Sequence, residues 1–510
     1  MSNHLNYALK NVFWGYLGTF ITSVLGFISR TVFIYSIGAS YLGVNGLFTS
    51  VLGVLSLTEL GIGVAMGYSL YQPVANNDIE KIKSLMKLYR TAYRIVAITV
   101  ATLGLAILPV LPYIIKGGEG IKHLNLYYII FLFNTVSSYF VSYKYSFLNA
   151  QQQGYIVTNI TSVFNIITAA GQIAALVLYK NYIAYLLVQM LVQLVMKIYA
   201  SLYIDKMYPF LNDKNTIPLD KADKQKLKTN IRALIIHKIG EISVYQSDNI
   251  IISSFVSITT VGLVSNYVLI AGFFNTFISV FFNSLTGTLG NYLAVSDLTS
   301  RYKLFKLLDF IGFILFGFTT VCIYALIQPF ILLLWGEEYV LPTSFLGIYL
   351  LNYFITGSRS AIQQIKIAGG VFDQDKYLPL LQSVANLVIS IGLVHIWGIN
   401  GVFIGTITAG LIPTLWRPYI VFKHIFQRTP WQYYRDFAIR LLITAGIALA
   451  CFELNKLCFR QVEWFYWIFS SFAVILTTVF IMLLYMLKNP ETKILKEIFF
   501  TVIKKRNTIT

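Results

Sequence analysis

Fourteen apolar stretches, the first at 11–37 and the last at 464–487, each reach the length that spans a bilayer core, about 20 residues of helix. In lipid a segment must satisfy its own backbone groups, so such runs are read as helices. Among them are 44–71 and 342–367; another, 231–256, adjoins the longest polar segment. That segment, Asp205 to Asn230, holds Pro209, Pro218 and many lysines. Charged residues make up only 12% of the 510, against about 25% in a soluble domain. Too few remain to wet a soluble protein of this size. The connections are short, so no extramembrane domain fits between the runs.

The basic residues then set the orientation. Lys and Arg number 39 and Asp and Glu 21. With the N-terminus in the cytoplasm, 29 of the 39 fall in cytoplasmic segments, five in outer connections and five inside the runs. A bias of that size is the positive-inside rule at work and puts both ends in the cytoplasm. The net charge of +18 is therefore topological, and no nucleic-acid partner is expected. Ile494, Leu495, Ile498, Phe499, Val502 and Ile503 share one helical face opposite lysines, the pattern of a helix lying on the inner leaflet.

The halves of the chain echo each other. An offset of 219 takes Asn11 to Asn230 and Gly43 to Gly262; an offset of 221 takes Ser162-Val163-x-Asn165 to Ser383-Val384-x-Asn386. The expectation is an all-α polytopic membrane protein of fourteen transmembrane helices. It has a six-helix lobe at 1–210, a cytoplasmic linker at 211–230 and a second six-helix lobe at 231–425. Helices 13 and 14 follow at 426–490, then a cytoplasmic amphipathic tail at 491–510. Repeat-built membrane folds with a site between the repeats are typical of secondary transporters.

No CxxC, HExxH, GxxxxGK[ST] or GxSxG occurs. Neither a metal, a cofactor nor an enzyme is expected from motifs.

Chemistry instead points to charges inside the runs. Eight are read there: Arg30, Glu59, Lys144, Lys197, Lys238, Glu241, Asp248 and Arg359. Each costs about 2.5–3.5 kcal/mol at the centre of a membrane helix. Together that is roughly 20 kcal/mol, more than a typical folding stability of about 5–15 kcal/mol, so most must pair or face water.

Helical spacing groups them. Asn352, Thr356, Arg359, Gln363 and Lys366 step by 4, 3, 4 and 3, one continuous stripe. Lys238, Glu241, Tyr245 and Asp248 form another. Gly15, Thr19, Thr22, Gly26 and Arg30 make a third, Asn45, Thr49, Ser56, Glu59 and Gly63 a fourth, and Asn134, Ser138, Ser142 and Tyr145 a fifth, with Lys144 one place off. These stripes imply a wet cavity lined by both lobes and rich in cations. Its cargo would be an anion with a hydroxyl-rich body, since guanidinium binds phosphate bidentately. The candidate cargo residues are Arg30, Arg359, Lys144, Asn134, Asn352, Gln363 and Lys366. Plainer roles exist. Lys144 and Lys197 lie within about two turns of a cytoplasmic end and can snorkel. Arg30 can anchor at the outer interface, Lys238 and Glu241 can tie helices together, and Glu59 can partner a cation or carry a proton.

The runs Arg30-Thr31-Val32-Phe33 to Gly38, Leu42-Gly43-Val44-Asn45-Gly46-Leu47, Glu59-Leu60-Gly61-Ile62-Gly63, Asp248 to Ile252 and Val261-Gly262-Leu263-Val264-Ser265-Asn266-Tyr267 carry a resemblance. Over its whole length the chain resembles the polysaccharide transporters (Wzx-type oligosaccharide flippases) of the MOP superfamily. The resemblance implies a bacterial cytoplasmic-membrane protein that moves undecaprenyl-pyrophosphate-linked oligosaccharide units from inner to outer leaflet by alternating access, for capsule, exopolysaccharide or O-antigen. It implies that Arg30 and Arg359 hold the pyrophosphate. It also implies an ion gradient, H+ or Na+, with Glu59 and Asp248 as acidic candidates; Glu241 and Lys238 complete the set of possible coupling residues. A polymerase and glycosyltransferases of the same pathway are the implied partners.

Two relatives within the superfamily compete. A MATE-type drug antiporter should have a net acidic cavity, whereas the eight charges here are five basic and three acidic. A lipid II flippase of the MurJ branch is the other. A membrane polymerase or ligase would need sizeable outer loops with convergent acids, and the outer loops hold only scattered ones such as Glu337 and Glu338.

Overall fold

The structure, a computed structural model, describes residues 2–59, 62–213, 216–220, 225, 246–371 and 373–492. Among them the only regular elements are helices. The first group is α1 (Ser2–Ile37), α2 (Ala39–Leu55), α3 (Ile62–Ala75), α4 (Ile79–Ile107), α5 (Leu111–Ile114), α6 (Leu124–Ala150), α7 (Gly154–Tyr179) and α8 (Tyr182–Met207). After the polar segment come α9 (246–256), whose last turn Ile252–Val256 is a π-turn, α10 (Ile258–Ser284), α11 (Thr286–Val295) and α12 (Leu298–Trp335). Then follow α13 (Thr343–Ser358), α14 (Ser360–Ala368), α15 (Leu378–Trp397), α16 (Ile399–Val421), α17 (Trp431–Cys458) and α18 (Trp464–Lys488).

Eleven stretches of helix among the described residues are long and apolar enough to cross a membrane. They coincide with eleven of the fourteen expected runs. The other three are instructive. Run 231–256 lies largely outside the described residues. Run 44–71 is interrupted by a 3-10 turn, Ser56–Glu59, between α2 and α3. Run 342–367 divides at Arg359, whose φ of −81° and ψ of −3° interrupt the helix between α13 and α14. A break inside a membrane helix is tolerated where protein or water satisfies the freed backbone. Here the Ser360 hydroxyl donates to the Gly357 carbonyl at 2.7 Å, and the Ser56 hydroxyl to the Gly53 carbonyl at 2.6 Å. The amphipathic tail falls outside the described residues beyond Thr492.

Local signals place the helix starts. Asn181 caps α8, its side-chain oxygen accepting from the Ile183 amide at 2.7 Å. Asp78 caps α4 through the Lys81 amide at 3.0 Å. Asp297 caps α12, and bonds from Ser300 and from the Thr299 amide hold its carboxyl below the usual carboxylate range.

Packing groups the chain into two compact units. The first holds residues 1–265 with Pro379–Leu387 and Val394–Gly398; the second holds Asn266–Leu378, Val388–Leu393 and 399–510. Along the chain the main division thus falls after Ser265, whereas the lobes read from the sequence divide at the 211–230 linker. The opening turns of α10 pack with the first unit because glycines let their backbone meet α2 directly.

In the first unit α7 packs on α1 and α8, and α6 on α4 and α8. Tyr182 gathers an aromatic cluster, with ring centroids 4.7 Å from Tyr127 and 4.9 Å from Tyr41. In the second unit α12 packs on α13, α17 and α18, and α13 on α16. Its core is aromatic: Phe305, Phe313, Phe316, Phe354 and Phe422 are each no more than 2% exposed. Between helices in lipid the hydrophobic effect supplies no net drive, so such close packing and internal polar ties carry the association.

Candidate functional site

Each unit carries candidate residues, and they sort by what they touch. In the first unit Arg30 extends from α1 and donates to the Ser265 hydroxyl at 2.6 Å. Its acceptor is neutral, so the positive charge is not cancelled there. Glu59 ends the 3-10 turn and accepts from the Tyr93 hydroxyl of α4 at 2.8 Å. A Cβ on Gly63 would sit 2.7 Å from that hydroxyl, so the glycine leaves room for the pair. Asn45 on α2 accepts from Tyr182 at 2.8 Å.

Lys144 and Lys197 both connect α6 to α8, with different partners. Lys144 reaches both carboxylate oxygens of Asp205 at 2.7 Å and the Ser201 hydroxyl at 2.7 Å. Lys197 donates to the side-chain oxygen of Asn134 at 2.6 Å, to its carbonyl at 2.7 Å and to Ser137 at 2.9 Å. Both lysines are at most 7% exposed. Lys197 does not reach out to the interface as the snorkelling reading has it: three oxygens of α6 take all three of its donors and it is 7% exposed. Asn134 is thereby committed to Lys197.

In the second unit the expected stripe meets α16 at one glycine. Arg359, 8% exposed, donates to the Gly410 carbonyl at 3.2 Å and to the Thr356 hydroxyl at 3.3 Å. A Cβ on Gly410 would lie 4.0 Å from the side-chain oxygen of Asn352. Asn352, Thr356 and Arg359 are thus brought together. Gln363, one turn on and half-buried, has a side-chain oxygen with no protein partner. Lys366, the last residue of the stripe, is placed differently. It is 1% exposed and closed on Asp375, to which Arg417 also donates at 3.4 Å.

Asp248 lies half-buried in α9. Lys238 and Glu241 lie outside the described residues.

The sequence reading missed the pair Asp309 and Arg440, both 8% exposed, which ties α12 to α17. Asp309 is an acid inside an apolar run, a legible signal that the count of eight left out. Arg440, three residues inside its run, was counted with the cytoplasmic cations. Among the described residues no group of three or more His, Cys, Asp and Glu side chains is placed to hold a metal.

No known sequence family matches this chain, and no curated protein is similar to it. Solved structures do match. The lipid II flippase MurJ, in an inward closed conformation, superposes with a TM-score of 0.65 at 14% identity over 94% of this chain and 100% of that one. A multidrug resistance MATE family transporter of the MOP superfamily, inward-facing, gives 0.61 at 14% identity over 78% of this chain and 94% of that one. A point mutant of the MATE transporter VcmN of Vibrio cholerae gives 0.58 at 14% identity over 84% of this chain and 99% of that one. The chain therefore has the fold of the MOP-superfamily membrane transporters and flippases. With eleven helices among the described residues long and apolar enough to cross a membrane, that marks it as a multi-pass membrane protein.

Proposed function

We propose that this protein is a flippase that moves undecaprenyl-pyrophosphate-linked oligosaccharide units across the bacterial cytoplasmic membrane by alternating access. We propose with it fourteen spans and cytoplasmic ends, because the two broken runs and the partly described one add to the eleven. The observation that carries the reading is a pair of arginines within apolar runs, one in each unit. Arg30 is half-buried and bonded to Ser265; Arg359 is buried and bonded to Gly410 and Thr356. The Arg30 guanidinium donates to a neutral hydroxyl and gains by exchanging it for the charged oxygens of a phosphate, since charge-assisted bonds are roughly twice as strong. Asn352 and Gln363 beside Arg359 suit sugar hydroxyls. Lys144 and Lys366 have their charge met by Asp205 and Asp375, and we leave them out of the cargo set.

Discontinuous membrane helices are where transporters of many folds place their sites. Here one break holds Glu59 and the other Arg359. Glu59, with a phenol as its partner, is the proposed coupling residue, and H+ the proposed ion.

The match to MurJ covers more of this chain than the matches to the MATE transporters reported above, which favours a lipid-linked cargo over a drug. It also keeps a second reading in view, lipid II itself. The first test is Arg359→Ala. The expected outcome is loss of polymer display from a cell that depends on this protein, with the variant still inserted at the wild-type level. Unchanged display from an equally abundant variant would remove Arg359 from the cargo site.

A further inference from the structure

Lys197 sits about 15 Å of helix from Met207, the nearer end of α8. Its three bonds, to the Asn134 side-chain oxygen, the Asn134 carbonyl and Ser137, all go to neutral oxygens. Among the described residues no carboxylate pairs with it, whereas Lys144 on the facing helix has Asp205. A buried ion with no partner of opposite charge is costly where the dielectric is low. The missing charge has to come from outside the chain.

Beside this amine lies a recess of about 190 Å³, lined by Ile130, Phe131 and Asn134 of α6 and by Leu186, Gln189 and Met190 of α8. It turns inward. Residues two apart on a helix point to nearly opposite sides. Phe133 and Leu187, two places from Phe131 and Gln189, are exposed on the outer surface of the bundle. Phe131 packs instead on Phe48 of α2, with ring centroids 5.6 Å apart.

Two side-chain amides supply the polar atoms of the recess. An ammonium only donates, so Lys197 holds the Asn134 oxygen and leaves the Asn134 nitrogen to donate elsewhere. The Gln189 oxygen accepts from Gln172 of α7 at 3.2 Å, which leaves the Gln189 nitrogen in the same position. Neither nitrogen has an acceptor among the described residues, and the other four lining side chains are apolar.

That set fits an anion better than a water. An anion accepts from both nitrogens and donates nothing, while a water would bring two protons to apolar walls. The bond from the ammonium to the Asn134 oxygen polarises that amide and strengthens donation at its nitrogen. A single charge is favoured as well. The Lys197 donors are spent on α6, so a phosphate would meet no cation directly, and a doubly charged ion pays more to leave water.

We propose that the recess between α6 and α8 binds one small monovalent anion, chloride, held by the amide nitrogens of Asn134 and Gln189 and drawn there by the Lys197 ammonium. The bound ion cancels the charge that Lys197 brings into the bundle. The site lies within the first unit and does not depend on what the protein carries.

The test uses the full-length protein purified in detergent, with chloride replacing gluconate at constant sodium. Binding is read from protein-induced broadening of the chloride NMR line, and stability from the melting temperature. The expected result is saturable broadening that bromide competes away, with a rise in melting temperature over the same range of chloride. Gln189→Leu should bind at least about tenfold more weakly, through loss of one hydrogen bond to a charged group. Gln189→Glu sets a carboxylate in the recess and should abolish the chloride response. Arg30→Gln and Arg359→Gln should keep it, since neither arginine lines the recess. No saturable broadening by the wild type overturns the site. So does a response that both Gln189 variants leave intact, or one that Arg30→Gln or Arg359→Gln removes. If the Gln189 variants fail to fold, Lys197→Met decides: loss of the broadening sustains the site, and full retention overturns it.

Discussion

Lys144 and Lys197 lie on facing helices of one bundle, and only the first has a carboxylate. Removing one member of a buried ion pair leaves the other charge unmet, at a cost of about 3–5 kcal/mol, whereas replacing both by apolar residues is often neutral. Asp205→Ala is therefore expected to lower the thermal stability of the detergent-solubilised protein markedly. Lys144→Met with Asp205→Leu should restore most of the loss, as read from the temperature at which the monodisperse peak disappears. Equal losses in the two variants would show that the pair adds nothing as a pair. The sequence marked both lysines as unusual, but not what they touch. Asp205 is 61 residues from Lys144, in a segment counted as cytoplasmic, and Asn134 is 63 from Lys197. Spacing along one helix finds the face a charge shares; it does not find the neighbour that the bundle brings to it. Asp375, which takes Lys366 out of the expected stripe, escaped for the same reason.

At the scale of elements, the broken run at 342–367 shows both reach and limit. Its polar stripe is legible from the 4-3-4-3 steps, and the structure keeps Asn352, Thr356 and Arg359 on one face towards Gly410. The break itself had a signal that went unused: Gly357 and Ser358 immediately precede it, and Gly/Ser pairs are frequent sites of sharp kinks. What the sequence does not carry is why that glycine is needed. A Cβ on Gly357 would lie 2.1 Å from the ring of Phe316, itself 1% exposed. Gly357→Ala must push α13 off α12 or turn the ring, and overpacking of this kind costs about 1–3 kcal/mol. The expected outcome is a lower melting temperature, partly recovered by adding Phe316→Leu, which shortens the ring it strikes. A variant as stable as the wild type would mean that the contact yields freely.

The whole molecule was the most legible level. Apolar runs of spanning length depend only on composition along the chain, the bilayer enforces them, and eleven of the fourteen recur as spanning-length helices among the described residues. Backbone contacts made possible by single glycines such as Gly43 and Gly262 leave no signal in composition. The cargo is the level at which the account is most exposed. A direct check is leaflet exchange in proteoliposomes, with fluorescent undecaprenyl-pyrophosphate oligosaccharide and lipid II as separate probes, each quenched from outside. The account predicts that the oligosaccharide-bearing probe loses the protection of the inner leaflet in wild-type vesicles and keeps it in vesicles of Arg359→Ala. Exchange of lipid II alone, or equal exchange of the oligosaccharide probe by wild type and Arg359→Ala, would contradict it.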